Sequence, residues 1–195
     1  MTSDTKSDAT KEKILQVTWK MLENKGNTVR MSDIAKQAGV SRQAVYNYYP
    51  SRAQLLIETT KYAGDYYKID ERLIPSRQAR SGLERLNNYI EAWGGFLPLV
   101  FPILNALRAM KDSDEAAEQA YHNRMAAMRE GCQTIAEQLQ IDGQLNPKLS
   151  LKQAVDLLFS TLWIDHWERL VKDGGWSDND YIQQMKTLCT AFLTA

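Results

Sequence analysis

The chain has 195 residues, 44% of them hydrophobic and 25% charged, with a formal net charge of zero. It is long enough to bury a core without disulfides, and its two cysteines, Cys132 and Cys189, sit in no CxxC or Cys/His cluster, which argues against a zinc site and for a reducing, cytoplasmic setting. No apolar run is expected to reach the roughly 20 residues that cross a bilayer, and the polar start, Met1 to Lys13, lacks a signal-peptide core.

Residues 1–9 read as a disordered arm. Ile14, Val17, Trp19, Met21 and Leu22 then give an apolar helical face, with Thr10 as N-cap and Gly26 as stop. A short helix follows over Asp33 to Ala38, capped by Ser32. Gly39 permits a sharp turn, since glycine takes left-handed dihedrals at no steric cost. Ser41 caps a third helix to about Tyr48, Pro50 and Ser51 break it, and a fourth runs from Arg52 to about Ile69. Pro75 and Ser76 mark a boundary. A fifth helix reaches Trp93, Gly94 and Gly95 interrupt it, and Pro98 and Pro102 predict a kinked or divided sixth ending near Met110.

Asp112-Ser113-Asp114-Glu115 starts the seventh helix by capping and by negative charge at the positive end of the dipole. That helix runs to about Gln140, before an Asp142-Gly143 turn. Asn146-Pro147 or Ser150 starts the eighth, which Gly174-Gly175 ends, and Ser177 caps the ninth, to about Thr194. No alternation predicts a strand. The chain therefore reads as all-α with about nine helices: a three-helix head over 10–51, a connecting helix over 52–75, and a helical body over 76–195.

The head holds the chemistry. Residues 29–55 describe a short helix, a glycine turn and a second, capped short helix, which is a helix-turn-helix. Ile34, Ala35 and Ala38 face inward from the first helix and Val40 and Val45 from the second, and the small alanines let the two cross closely. Arg42, Gln43, Ala44, Tyr46 and Asn47 are left for the outer surface. Arg pairs with guanine O6 and N7, Gln with adenine N6 and N7, and Ala touches a thymine methyl, while Tyr and Asn suit phosphate oxygens. Residues 1–60 carry nine basic against six acidic side chains, a mildly basic head on a mildly acidic body.

The string Ile34, Ala35, Ala38, Gly39, Val40, Ser41, followed by Val45, Tyr46, Tyr48, Tyr49, Arg52 and Leu55, resembles the signature of the TetR/AcrR family of repressors, and Thr10 to Leu15 resembles that family's first helix. The motif covers about residues 10–60; beyond it the likeness is architectural. The resemblance implies base reading by Arg42, Gln43 and Ala44. It implies phosphate contacts by Tyr46 and Tyr48 and by Arg52, where the family usually has lysine. Arg30, Ser41 and Asn47 complete the expected phosphate set. Tyr49 replaces the usual phenylalanine, so its phenol needs water or a partner and this edge is expected to be less buried. Arg30 and Met31 stand where threonines often cap the second helix.

A lone helix-turn-helix makes few contacts, and twofold symmetry would double it and demand a palindromic operator in double-stranded DNA. Leu151, Val155, Leu158 and Leu162 form one stripe of the eighth helix and Phe159, Trp163, Trp167 and Leu170 a second; the ninth adds Tyr181, Ile182, Met185, Leu188, Cys189 and Phe192. Two stripes imply burial on two sides and hence a homodimer of four-helix interface, with one monomer core as the competing reading. The family usually places a small-molecule effector pocket among helices five to eight. Trp93, Phe96, Phe101, Tyr121, Met125, Phe159, Trp163, His166 and Trp167, with Leu104 and Met110, suit such a pocket and equally suit a core, and the Gly94-Gly95 break is the expected wall or gate. Asp165, Glu91 and Glu168 lie near these aromatics in sequence, and acid beside aromatic favours a cationic or hydrogen-bonding ligand, with a solvated helix face as the competing reading.

The expected mechanism is release from the operator when a ligand shifts the continuous Arg52 to Ile69 helix and the spacing of the recognition helices. An alternative is an architectural or cell-division regulator of the same fold that answers to a protein partner. An enzyme is not expected, since no nucleophile and base pair, metal set or glycine-rich phosphate loop is visible; no cofactor and no membrane partner are expected either.

Overall fold

The computed structural model describes residues 3–25 and 29–194. Its elements are α1 (Ser3–Lys25), α2 (Met31–Ala38), α3 (Arg42–Tyr48), α4 (Arg52–Tyr66), α5 (Ile69–Arg72), α6 (Ile74–Arg77), α7 (Gly82–Met110), α8 (Glu115–Ile141), α9 (Leu151–Leu162), α10 (Ile164–Trp167), a π-helical stretch (Glu168–Asp173) and α11 (Asp178–Leu193). The all-α expectation holds: among the described residues the β-structure is confined to an isolated antiparallel bridge between Leu145 and Thr194. The chain divides into two compact units. One holds residues up to Tyr66 with Val100–Arg124, the other Tyr67–Leu99 with Met125 onward.

In the first unit α1 packs on α4 and α2, and α2 on α3. The helix begins at Ser3, so residues 3–9 are helical rather than a disordered arm; Gly26, the expected stop, lies outside the described residues. Ile14, Met21, Leu22, Ile34, Val45, Leu55 and Leu56 are nearly or wholly buried and form the head's core. The edge of α1 is zipped to α4 by polar groups. Gln16 Nε2 donates to the Tyr62 hydroxyl at 2.9 Å, and that hydroxyl donates to Glu12 Oε1 at 2.9 Å. Trp19 meets Tyr66 edge-on at 5.2 Å. The fourth helix is shorter than expected. It ends at Tyr66, and Lys68 takes a left-handed conformation with φ 59° before α5 and α6. Pro75, expected at a boundary, sits in the first turn of α6, where its missing N–H costs nothing.

The second correction is larger. Gly94, Gly95, Pro98 and Pro102 do not break a helix: α7 is one helix of 29 residues. Gly94 serves close approach. A Cβ there would lie 2.5 Å from Ile182 Cγ1, so the bare backbone is what lets α11 settle against α7 in the second unit. The prolines stand four apart and share a face; Pro98 is half-exposed and Pro102 exposed. Each removes one helical hydrogen bond, while Phe96, Leu97, Val100, Ile103 and Leu104 remain buried and hold the helix together. An apolar window of this helix is long enough by length and composition to cross a membrane, contrary to expectation, and 61% of that window is buried inside the protein. Its apolarity is that of a core helix.

In the second unit, Ser150 opens α9 with a reciprocal cap: Gln153 N donates to Ser150 Oγ at 3.2 Å and Ser150 N to Gln153 Oε1 at 2.9 Å. The expected long eighth helix is interrupted at Trp163, whose ψ of 160° is extended. Freed carbonyls need donors. Trp93 Nε1 donates to the Leu162 carbonyl at 2.8 Å, and His166 Nδ1 stands 3.0 Å from both the Ser160 and Thr161 carbonyls. Carbonyls only accept, so Nδ1 of His166 carries the proton. The chain resumes as α10 and the π-helical stretch and stops at Gly174-Gly175, as expected. Ser177 then caps α11, accepting from Asp180 N at 3.0 Å.

Candidate nucleic-acid interface

The turn between α2 and α3 is set by local chemistry. Gly39 has φ 72°, Gly39 N donates to the Lys36 carbonyl at 3.2 Å, and Val40 N reaches back to the Ala35 carbonyl at 3.0 Å. This closes α2 with a left-handed glycine, which a Cβ would strain. Ser41 then accepts from Ala44 N at 3.0 Å and starts α3 as expected. Ser51 does the same for α4, accepting from Gln54 N at 3.1 Å. The expected Ser32 cap is absent: Arg30 occupies the N-cap of α2 and makes no side-chain cap bond. Asp33 N and Ile34 N both donate to the Arg30 carbonyl, at 3.0 and 3.1 Å, and the Arg30 side chain is exposed at this positive helix end.

On α3, Val45 is fully buried while Arg42, Gln43 and Asn47 are exposed and Ala44, Tyr46 and Tyr48 half-buried. The outward side chains are paired one turn apart. Arg42 Nη2 donates to the Tyr46 hydroxyl at 3.4 Å with its guanidinium 5.5 Å from the ring centre, and Gln43 Nε2 donates to Asn47 Oδ1 at 3.2 Å. Such pairing limits the rotamers of the two long side chains before any partner arrives. The Tyr48 hydroxyl accepts from Ser7 Oγ at 3.3 Å.

Tyr49 departs from expectation. It is 1% exposed, and its phenol donates to the Lys11 carbonyl at 3.2 Å, so the edge is closed rather than loosened. Burial holds that phenol neutral, well above the usual tyrosine range, with the nearby Glu58 carboxylate adding to it.

Arg52 is held in place. Nε and Nη2 donate to the Val29 carbonyl at 3.1 and 2.8 Å, and Nη1 grips the Asp114 carboxylate. Asp114 Oδ1 also accepts from Ala116 N at 3.1 Å and Ala117 N at 3.3 Å, capping α8. One carboxylate thus joins the start of α8 to Arg52 and, through it, to the segment leading into α2. Sequence could not expose this, because Asp114 lies 62 positions from Arg52. Around these groups is a cleft of about 520 Å³ lined by Arg30, Ser32, Arg42, Tyr46, Arg52 and Asp114, with three guanidiniums to one carboxylate.

The aromatic residues expected at an effector pocket are divided between the two units. Phe101 and Tyr121 fall in the first unit; Trp93, Phe96, Met125, Phe159, Trp163, His166 and Trp167 fall in the second. Trp93, Phe96, Trp163 and Trp167 are buried, Phe159 stacks on Trp163 at 5.4 Å, and Trp167 Nε1 donates to Asp178 Oδ1 at 3.1 Å. Of the stripes assigned to a dimer, Val155, Leu158, Leu162, Ile182, Met185 and Cys189 are buried within the single chain, and Leu151, Phe159 and Phe192 are half-buried. Leu157 and Leu188 remain open, 41% and 47% exposed. Among the described residues no group of three or more His, Cys, Asp or Glu is placed to hold a metal.

Residues 14–59 match the family described as "Bacterial regulatory proteins, tetR family". No curated protein matches the chain in sequence. Its fold is similar to that of a TetR-family transcriptional regulator from Rhodococcus sp., with a TM-score of 0.75 at 19% identity, covering 95% of this chain and 98% of that one. It is also similar to NalD, the secondary repressor of the MexAB-OprM multidrug efflux pump in Pseudomonas aeruginosa (0.70, 23%, covering 97% and 98%). A third is a transcriptional regulator from Saccharomonospora viridis in complex with choline (0.73, 16%, covering 96% and 99%). At these identities the likeness is one of fold.

Proposed function

We propose that the chain, whose residues 14–59 match the tetR family of bacterial regulatory proteins, is a homodimeric repressor of that family, released from a palindromic operator by a small molecule. The observation that carries the DNA reading is the face of α3, where Arg42 and Gln43 stand exposed at the start of a helix fixed by Ser41 and the Gly39 turn. Arg42, Gln43 and Ala44 read base edges in the major groove. Arg30, Ser41, Tyr46, Asn47 and Tyr48 hold phosphates, the first at the start of α2. Arg52 acts differently from a free phosphate contact: its guanidinium positions the segment before α2, and Asp114 holds it there.

Dimerisation uses the side chains left open on α9 and α11, Leu157 and Leu188, with Leu151, Phe159 and Phe192 around them. The reading of an effector response is supported by the likeness in fold to the Saccharomonospora viridis regulator, which holds choline. Because α4 stops at Tyr66, the expected single lever from Arg52 to Ile69 is replaced. The candidate route is α8, a continuous helix whose first residue follows Asp114 and which extends into the second unit. A ligand acts by binding the form that does not fit DNA more tightly. Selection of bound sequences from a random DNA pool tests the reading. An inverted repeat with half-site centres about one helical turn or a multiple of it apart is expected, and enrichment of no sequence would contradict it.

A further inference from the structure

Resting on the reading that this regulator answers to a small molecule, we propose that the ligand's seat is a cleft of about 350 Å³ in the second unit, among α6, α7 and α8, and that it takes a small monocarboxylate. None of the aromatics singled out from the sequence lines it. A volume of this order lies at the small end of ligand sites, about 300–1,000 Å³. The Tyr89 ring forms an apolar wall and is only 7% exposed. Its seat depends on Gly131, where a Cβ would lie 2.9 Å from both the ring edge and the hydroxyl.

The polar chemistry is carried by two arginines of unequal condition. Arg77 is paired with Asp70 at 2.5 Å. Arg85 feels the Asp142 carboxylate at longer range but is held by no ion pair of that kind among the described residues. Among the described residues its buried Nε has no hydrogen-bond partner, and its Nη2 reaches the Arg77 carbonyl only at 3.5 Å, the limit of a hydrogen bond. Its backbone is anchored, with Ser76 Oγ donating to the Arg85 carbonyl at 2.9 Å, so the guanidinium alone is left to adjust. A small rotation of that long side chain turns an unused donor of a cation toward the cleft. A carboxylate is the planar acceptor that matches this fork. Glu130 is exposed at the rim, where water screens its charge. A cationic ligand would leave the Arg85 donor unpaired and set like charges together. The short apolar wall and limited volume select a small body behind the carboxylate.

The test uses the whole 195-residue chain with benzoate as probe and benzyl alcohol as its neutral counterpart, followed by methyl NMR. Benzoate is expected to shift the Ala127 and Thr134 methyl signals saturably, and benzyl alcohol to bind about tenfold more weakly or worse. Arg85→Gln should weaken benzoate by about tenfold or more, and Arg85→Lys, which keeps charge without the fork, should fall between. Should Arg85→Gln alter the fold, the lysine variant and the signal positions still decide. Equal affinity for both probes, shifts confined to other methyls, or no saturation would overturn the proposal. None of these outcomes touches the DNA reading, which rests on the random-pool selection and involves no residue of the cleft.

Discussion

Asp114 shows how much a single side chain decides in this head. It caps α8 and holds Arg52, which in turn chelates the Val29 carbonyl. Asp114→Ala is expected to cost about 1–2 kcal/mol of stability and to weaken operator binding by loosening α2. The salt dependence separates this role from a phosphate contact. Losing a phosphate contact lowers the slope of log affinity against log salt by about one, whereas Arg52→Ala should lower affinity with the slope unchanged.

The thiols give a second residue-scale prediction. Burial pushes Cys132 and Cys189 up to about 12, so at neutral pH both are held as thiols. The folded protein should react with a thiol reagent far more slowly than the unfolded chain; rapid labelling of either without loss of helix would count against their burial. Residues whose partners are near in sequence were legible: Ser41, Gly39 and Ser177 all behave as their local patterns indicate. Arg52 and Tyr49 were not, because their partners, Asp114 and the Lys11 carbonyl, are brought to them by the fold.

At the scale of elements, most helix starts could be read from the sequence and two helix interiors could not. Gly94-Gly95 with two prolines carries every local mark of a break, yet α7 runs through them because the side chain of Ile182 fills the space a Cβ would take. Gly94→Ala gains about 1 kcal/mol of helix propensity but forces a 2.5 Å contact with Ile182; overpacking of about 1–3 kcal/mol should leave it destabilised. A higher melting temperature would show that α7 and α11 are not so closely packed. The converse surprise is Trp163, where nothing local signals a break and the indole of Trp93 and ring of His166 supply the missing donors. The start of α7 also depends on a remote group, the Asp142 carboxylate, which accepts from Gly82 N at 2.5 Å and from Gln138. These bonds, the backbone one foremost, hold the Asp142 carboxyl below its ordinary range. A carboxylate depressed in the native state stabilises above its unfolded value and loses that contribution as pH falls through its native one. Asp142→Asn should therefore melt lower than the parent at neutral pH, with the difference shrinking in acid.

For the whole molecule, helical periodicity was enough to give the fold class, but not the division of apolar stripes between core and interface. A buried leucine and one covered by a second subunit give the same pattern. Most of the stripe on α9 and α11 is already inside one chain, and Leu157 and Leu188 stay open. Leu157→Glu with Leu188→Glu should give monomers in sedimentation and lose operator affinity together; a dimer that survives both would place the interface elsewhere.

The central claim is that two copies of α3 set Arg42 into duplex grooves at once. The most direct measurement is the affinity of Arg42→Ala for the selected operator and for operators changed one base pair at a time. The account predicts a loss of about 1–3 kcal/mol per half-site, with discrimination relaxed at one base pair in each half and at symmetry-related positions. A uniform loss on every sequence, or relaxation at a single unpaired position, would contradict it.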